Sequence, residues 1–382
     1  MRPGQSTLTP SVVHAVARDA LGVAAPWAPF RSSVPVRRLL DLILLVAATT
    51  RTVSAIARSR FPFSHETARR AVRANLPEPD ALANGLTDAL HRVLAFSRRD
   101  RRRRWVVGID THDRPFYGDR RPPGVVGGPR KAGTKYFVRY ASAVLLHRHR
   151  RYTVALIPVL GRVKPHDVVA AVLDRVAACG VRVRGVALDA GFDGGETIHL
   201  LQTRRLDYAI RLGRKGRTGR GGCFAWVPGT VGRVSWVTER THRAVSTDVV
   251  VWRHRRHAEV RAYAFGGWGS GSAVAAAWRA RTARRRYRER FGIETSYRQK
   301  NQALGWTTST DLRYRLLLEG VAHLIRQVWV RLTEILARAA GMRPTGWVGA
   351  LPLAEMIDWL ADHLKARYTA DRRIPCDPIP LT

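Results

Sequence analysis

The sequence predicts a mixed α/β protein in which a five-stranded mixed sheet is flanked by helices, with an N-terminal helical domain and a β-rich insertion. Apolar residues at helical spacing dominate residues 1–97. Apolar, β-branched runs typical of strands begin at Trp105 and then alternate with helical segments up to residue 213. Such alternation indicates a sheet with helices packed on its faces.

The charge of the chain points to a polyanionic partner. The 382 residues include 66 Lys and Arg against 29 Asp and Glu, a formal net charge of +37. A field of this strength attracts nucleic acid, and the binding should depend strongly on salt. A merely soluble surface and an acidic membrane are the alternatives. The longest apolar run, 39–48, is interrupted by Asp41 and is about half of the ~20 residues that a membrane span needs, so we expect no membrane partner.

The cysteines and the N-terminus indicate a reducing compartment. Cys179, Cys223 and Cys376 are too few and too scattered for a disulfide framework or a zinc site. The opening segment MRPGQSTLTP lacks the apolar core of a signal peptide. We therefore expect a cytoplasmic protein that associates with the nucleoid.

The N-terminal helical domain, residues 1–97, contains a candidate helix-turn-helix at 52–76. A short helix is predicted over 53–60, followed by a break at Pro62 and by Ser64 as the N-cap of a second helix. The second helix carries three arginines on its surface, Arg69, Arg70 and Arg73. Two short helices around a tight turn, the second basic, are typical of a DNA-binding helix-turn-helix. The alternative is an ordinary helical hairpin with solvated arginines.

The first part of the predicted core covers 98–213. Three apolar runs at 104–112, 136–149 and 151–162 predict an antiparallel meander. A helix that stops at Gly180, a buried strand, a second helix and a further strand follow.

The second half of the chain divides into three segments. Residues 214–275 open with a Gly/Arg-rich loop and contain three more strand patterns, which predict a β-rich insertion separate from the core. Residues 276–340 return to helices as the second part of the core, and 341–382 end in a helix over 353–367 and a Pro-rich tail.

Two aspartates break their apolar context. Asp110 ends the run WVVGID and Asp189 ends the run GVALD, where each strand is expected to reach the edge of the sheet. Ionised carboxylates at such places are costly unless they are paired or bound to a metal ion. Capping of the turns that follow is the simpler alternative for each aspartate taken alone.

A glutamate breaks a cationic context in the same way. The segment YRERFGIETSYRQK, 287–300, places Tyr287, Arg290 and Glu294 on one helical face at i, i+3 and i+7. The alternative is a routine pair between Arg290 and Glu294, worth a few tenths of a kcal/mol. If Glu294 meets the two aspartates, three carboxylates converge and predict a site for two Mg²⁺ or Mn²⁺ ions about 4 Å apart.

Together, IDTHD, LDAGFD and YRERFGIETSYRQK resemble the DDE transposases of bacterial and archaeal insertion sequences, over roughly residues 105–335. The similar branch carries a Tyr-x2-Arg-x3-Glu-x6-Lys motif and a β insertion. The resemblance implies an RNase H-like core in which Asp110, Asp189 and Glu294 are the catalytic, metal-binding residues. It also implies that Tyr287 and Arg290 contact phosphate near the cleaved end.

One position departs from that motif. The lysine would fall at Asn301, and Lys300 lies one residue too early, about 100° away around the helix. We therefore predict that Arg298, four residues beyond Glu294, contacts phosphate, with Lys300 as a flexible substitute. In the family a tryptophan of the insertion can stack on a flipped base; Trp226, Trp236 and Trp252 are candidates here, although packing within the insertion is the simpler role for each.

These expectations combine into a cut-and-paste transposase. The N-terminal domain would bind the terminal inverted repeats of the element, and the core would cleave the element ends and join the freed 3′-hydroxyl to target DNA. Because two ends are joined in concert, we expect a homodimer on double-stranded DNA. A non-catalytic DNA-binding protein derived from a transposase, and an RNase H-like structure-specific nuclease, are the alternatives.

Overall fold

A computed structural model describes residues 8–24, 34–94, 96–118, 122–147, 151–214, 220–238, 241–253, 259–268, 273–343 and 349–368. The helices are α1 Pro10–Val23, α2 Val36–Ala48, α3 Val53–Arg60, α4 His65–Ala74, α5 Pro79–Leu94, α6 Arg98–Arg102, α7 Pro165–Ala178, α8 Gly195–Thr203, α9 Ala273–Lys300, α10 Leu312–Ala339 and α11 Leu353–Arg367. The strands are β1 Trp105–Pro115, β2 Val125–Lys131, β3 Thr134–Leu145, β4 Thr153–Val159, β5 Val183–Leu188, β6 Asp207–Arg211, β7 Val231–Val237, β8 Ala244–Arg253 and β9 Val260–Gly266. The centre of the predicted Gly/Arg-rich loop and the predicted Pro-rich tail lie outside the described residues.

The strands form one mixed sheet of nine strands in the order β2-β3-β1-β5-β6-β9-β8-β7, with β4 also paired to β3. The predicted meander is confirmed, because β3 pairs antiparallel with both β1 and β4. Strand β5 then runs parallel to β1 and to β6. Within this sheet the five strands of the predicted core lie in the order β4-β3-β1-β5-β6.

The predicted count of five strands was wrong for two reasons. The segment PPGVVGGPRK contains β2, which forms a hairpin with β3 and carries too few apolar residues to be recognised as a strand. The three strands of the predicted insertion are also not separate, because β9 pairs antiparallel with β6 and carries β8 and β7 into the same sheet. This pairing satisfies backbone groups that would otherwise line an exposed edge of β6.

Helix α9 covers one face of the sheet. Its small residues Ala280 and Ala283, together with Ile293, lie in a buried cluster with side chains of β1, β3, β5, β6, β8 and β9. Burial of apolar surface is the main stabilising term in such a contact, about 25 cal/mol for each Å² removed from water. Helix α7 packs against β3 and β4, and α8 packs against β6 and β8. The alternation of strands and helices therefore gave the correct fold class.

The chain divides into two compact units. One contains Met1–Ala89, Lys300–Trp329 and Leu351–Thr382, and the other contains Leu90–Gln299 and Val330–Ala350. Residues 300–329, which the predicted boundaries assign to the catalytic core, thus share a unit with the N-terminal helices. The functional roles of these segments remain predictions.

The predicted helix pair at 52–76 forms as expected in the first unit. Helix α3 has the predicted bounds, and the Ser64 hydroxyl accepts a hydrogen bond from the Thr67 backbone N–H at 3.0 Å as the N-cap of α4. Helix α4 buries Ala68, Ala71 and Val72 and leaves its arginines outside.

The apolar run at 39–48 belongs to α2, whose residues from Leu39 onward are buried in the first unit. Among the described residues, no single helix has both the length and the apolar character that crossing a membrane requires. Helices α2 and α3 meet that requirement only when they are taken together, and they are bent by 116° at the break between them.

The approach of α9 to β1 depends on Gly108. A Cβ atom at this position would lie 2.5 Å from Cδ1 of the fully buried Ile293 and 3.1 Å from Leu146. We expect Gly108→Ala to lower the free energy of unfolding by about 1–3 kcal/mol, because the tightly packed side chains must move. Urea denaturation measures this loss.

A second substitution tests the cause of the loss. Ile293→Val removes the methyl group that the new Cβ would meet and by itself should cost about 0.5–1.5 kcal/mol. The double variant should be more stable than the sum of the two single losses predicts. Strictly additive losses would show that Ile293 does not limit the space at Gly108.

Candidate active site

The parallel pairing of β1 and β5 brings two aspartates side by side. Gly108 pairs with Ala187 in the register of these strands, and Asp110 and Asp189 each lie two residues further along. Since side chains alternate between the faces of a sheet, both carboxylates point to the face on which α9 packs. Asp110 was expected where β1 reaches the edge of the sheet, but β1 continues to Pro115 along β3, and only its pairing with β5 ends before Asp110.

Asp110 is the buried member of the site, with 7% of its surface exposed. Its Oδ2 lies 3.2 Å from Nη1 of Arg290, and its Oδ1 accepts a hydrogen bond from the Thr111 backbone N–H at 2.9 Å. Burial raises the pKa of Asp110 to about 6; Arg290 opposes the rise, while the negative charges of Asp189 and Glu294 add to it. The carboxylates of Asp189 and Glu294 are therefore close enough to repel that of Asp110.

Asp189 holds the turn that follows β5. Its Oδ1 accepts a hydrogen bond from the Gly191 backbone N–H at 2.9 Å, at the start of the short 3-10 turn Ala190–Phe192. The turn-capping alternative is thus correct as a description of local structure. It also orients the carboxylate, and one oxygen engaged in a cap leaves the second oxygen for another ligand.

Glu294 reaches the same place from α9. Its side chain is 42% exposed, and its Oε1 lies 3.7 Å from Nη2 of Arg290. The predicted pair along the helix is therefore present, but the same guanidinium group also pairs with Asp110. Arg290 is a shared counter-ion that links a helix carboxylate to a strand carboxylate.

The motif's tyrosine and arginine lie against each other. The Arg290 guanidinium carbon lies 5.4 Å from the centroid of the Tyr287 ring. The ring of Tyr263 also packs on Tyr287, with 4.9 Å between the two ring centroids. Burial raises the pKa of Tyr287 above its ordinary value, with Arg290 opposing the rise. Arg290 is itself buried, and its Nε has no hydrogen-bond partner among the described residues.

The two basic candidates at the end of α9 differ in their surroundings. Arg298 is exposed, as a residue that meets a phosphate should be. Lys300 is fully buried, and its Nζ forms an ion pair with Glu319 in the first unit. The expectation that Lys300 acts as a flexible phosphate contact was wrong, because a buried ammonium group needs a fixed counter-charge and has one here.

Two residues that the sequence analysis did not select help to build the site. The Tyr297 hydroxyl donates a hydrogen bond to the backbone carbonyl of Asp110 at 3.2 Å and lies 2.9 Å from the Ser142 hydroxyl. Gly108 provides the space for α9, as described above. Tyr297 lies three residues after Glu294 on the same helix, and this spacing was the available signal.

The insertion tryptophans are partly buried packing residues. Trp252 packs against the cluster beneath α9, and the Arg284 guanidinium lies 4.3 Å from its ring centroid. The ring of Trp226 lies against Gly232, and that of Trp236 lies against Gly195. This placement fits the simpler role given to them.

Two of the arginines of α4 line a cleft in the first unit. Arg69, Arg70 and Arg73 are exposed, and Arg73 donates a hydrogen bond to the Ser309 hydroxyl at 3.2 Å. The cleft has a volume of about 300 Å³. Its lining combines the start of α3, two of these arginines and a polar segment near α10: Thr52, Val53, Ser54, Arg69, Arg73, Trp306, Thr307, Thr308, Ser309 and Tyr314.

Comparison with known proteins gives one line of support, and it concerns the fold. The sequence matches no known family profile and no curated protein. The structure is similar to the cryo-EM structure of a piggyBac transposase synaptic complex with hairpin DNA, with a TM-score of 0.58 and 12% sequence identity over 97% of this chain and 82% of that chain. The chain therefore has a transposase-like fold. The neighbour does not bear on the predicted kinship with bacterial and archaeal insertion sequences.

The pKa of Asp110 predicts how the stability of the metal-free protein depends on pH. The folded state binds this proton more tightly than the unfolded state, since the pKa rises from 3.8 to about 6. The resulting stabilisation is complete below pH 3.8 and is lost as the pH rises to about 6. Its upper limit is about 3 kcal/mol, at about 1.4 kcal/mol per pKa unit.

Urea denaturation in EDTA between pH 4 and 7.5 measures this pH-dependent stabilisation as a difference in the free energy of unfolding between variants. Asp110→Asn should lack it, so the variant should gain stability relative to the wild type as the pH rises. Glu289→Gln is the matched control, because Glu289 lies on the same helix and pairs with Arg286 outside the cluster. If the free energy of unfolding depends on pH in the same way for wild type and Asp110→Asn, the raised pKa of Asp110 is contradicted.

Proposed function

We propose that this protein is a DDE-type DNA transposase that cleaves DNA strands at the ends of an element and transfers them into target DNA. The observation that carries the proposal is the meeting of Asp110 on β1, Asp189 directly after β5 and Glu294 on α9. The transposase-like fold supports it. The strand order β4-β3-β1-β5-β6, antiparallel and then parallel, supports an RNase H-like core, and the three motifs support the insertion-sequence group.

The three carboxylates suit divalent cations. They supply only oxygen ligands, which Mg²⁺ and Mn²⁺ prefer, and the mutual repulsion that helps to raise the pKa of Asp110 is the repulsion that a cation would relieve. Asp110, Asp189 and Glu294 would hold two Mg²⁺ or Mn²⁺ ions. Such ions, when bound, activate the attacking oxygen and stabilise the leaving oxygen of a phosphoryl transfer.

The reaction consists of two displacements at phosphorus. In the first, a water oxygen bonds to phosphorus at the element end and the 3′-oxygen leaves as a free hydroxyl. In the second, that hydroxyl attacks a phosphodiester of the target, whose own 3′-oxygen leaves. The chain's part is to position the strand: the Nε–H of Arg290 has no hydrogen-bond partner among the described residues and would donate to a phosphate oxygen when the side chain turns toward the strand. Tyr287 and the exposed Arg298 flank it.

The first unit would recognise the element end. Helices α3 and α4 have the form of a helix-turn-helix, and the cleft beside them combines arginines, hydroxyls and the exposed Trp306. These are groups that contact phosphates and bases in DNA complexes. The solved neighbour is a synaptic complex with DNA, which supports the proposal that this protein acts on paired ends as a homodimer.

Removal of any one carboxylate should abolish strand cleavage. We expect Asp110→Asn, Asp189→Asn and Glu294→Gln each to lower the cleavage rate by more than a hundredfold, because charge stabilisation at the reacting phosphate is lost. Cleavage of radiolabelled DNA from the borders of the element, with Mg²⁺ or Mn²⁺, measures the effect. Each variant should still bind that DNA in EDTA.

Glu289→Gln is again the control and should cleave at the wild-type rate. Mn²⁺ should also raise the melting temperature of the wild type and of Glu289→Gln, but not of Asp189→Asn, which tests metal binding without catalysis. Cleavage retained in any of the three carboxylate variants would refute the site. A wild type that binds DNA but never cuts would indicate a non-catalytic DNA-binding protein, and cutting of branched DNA without strand joining would indicate a nuclease.

The helix-turn-helix should determine which DNA sequence the protein prefers to bind. We expect replacement of Arg69, Arg70 and Arg73 by glutamine to abolish the enrichment of one sequence from a random duplex library while leaving general DNA binding in place. Selection in EDTA followed by sequencing measures this. The same sequence enriched by the triple variant would exclude α4 as the reading helix.

A further inference from the structure

Apart from the exposed Arg298 near the end of the helix, the arginines of α9 fall into two groups. Those of the first group have partners within the second unit. Arg279 pairs with Asp248 at 3.4 Å, Arg284 lies over Trp252, Arg286 pairs with Glu289 at 2.8 Å, and Arg290 pairs with Asp110 at 3.2 Å. These side chains anchor the helix to the sheet or to itself.

The arginines of the second group have no partner among the described residues. Arg281, Arg285 and Arg288 are exposed, and none of them forms an ion pair, hydrogen bond or ring contact with any described residue. They lie at i, i+4 and i+7, so they project from one face of the helix, here called the outer arginine stripe. Like charges at this spacing destabilise a helix by a few tenths of a kcal/mol per pair. The stripe is thus a local cost to the fold with no compensating contact in the described part of the chain.

The surroundings of the stripe also suggest an interface. Trp278 precedes it and Phe291 follows it, and these large apolar side chains are 56% and 62% exposed. Glu294 lies six residues beyond Arg288 on the same helix, about 9 Å along the axis at 1.5 Å per residue. A polyanion lying along the stripe would therefore reach the level of Glu294 along the helix axis, with Glu294 itself about 120° around the axis from Arg288.

We propose that the outer arginine stripe holds target DNA by its phosphates. This inference rests on the proposed function, in which the core acts on two DNA substrates. The element end must be chosen by sequence, whereas the target must be gripped whatever its sequence. Contacts to phosphates carry no direct sequence information. Three guanidinium groups that are unpaired among the described residues, on one face of a helix, provide that kind of contact.

The test is the salt dependence of binding to a 40-bp random-sequence duplex, measured by fluorescence anisotropy in EDTA. The triple variant Arg281→Gln, Arg285→Gln and Arg288→Gln should lower the slope of log Kd against log salt by about 0.9 per lost phosphate contact, about 2.7 for three. The corresponding triple lysine variant should keep most of the slope, since lysine also neutralises phosphate. Loss in both variants alike would indicate a structural role and overturn the proposal.

A charge-matched control separates the stripe from net charge. Arg184, Arg204 and Arg233 pair with Asp207, Asp174 and Asp248, so their replacement by glutamine removes three charges from paired sites. The proposal predicts little change in slope for this control. An equal loss in the control, or no loss in the stripe variant, would overturn it.

A second arm separates target DNA from element DNA. With a pre-cut border duplex and a supercoiled plasmid as target, the stripe variant should lose strand transfer at least tenfold while cleavage of the uncut border duplex changes less than threefold. Equal loss of both reactions would assign the stripe to the element end and overturn the proposal. Retained cleavage in the carboxylate variants would instead refute the proposed function, and the binding result would still report on the stripe.

Discussion

The close approach of α9 to β1 is the constraint on which the site depends. Gly108 leaves room for Ile293, and the Tyr297 hydroxyl bonds to the Asp110 carbonyl, so the helix is held against the strand on either side of Glu294. Protein interiors are close-packed and transmit small displacements. A carboxylate on a helix can therefore be held near two carboxylates on strands only while this contact remains intact.

The contact between α9 and β1 has an electrostatic cost, because it brings carboxylates of like charge together. The chain has few acidic residues and a large positive charge, yet it brings three carboxylates together and buries one of them. Arg290 offsets part of the repulsion by pairing with Asp110 and Glu294. The pKa of Asp110 is raised mainly by burial and further by the repulsion from Asp189 and Glu294 that Arg290 does not offset. Sites with such perturbed groups are where function is expected, because a purely structural cluster would be costly to keep.

The same helix separates its cations by role. Arginines that face the sheet or run along the helix have fixed partners, whereas Arg281, Arg285 and Arg288 face outward and have no partner in the part of the chain that the structure describes. Lys300 was expected to contact phosphate. It is instead buried in an ion pair with Glu319, where it has a structural role. Charge in a sequence indicates the kind of partner, and burial decides which charges can reach it.

The sequence by itself determined the mixed α/β fold class, the helix bounds at α3 and α11 and the Ser64 cap, and it selected Asp110, Asp189 and Glu294 as the candidate carboxylates. These follow from local periodicity, capping chemistry and the cost of an acid in an apolar or cationic setting, all of which act over a few residues. Only the tertiary structure decided that β7–β9 extend the sheet, that Arg290 is shared by Asp110 and Glu294, and that Lys300 is buried. Strand pairing and burial depend on contacts between residues far apart in the chain, and spacing along the sequence does not encode which distant surfaces will meet.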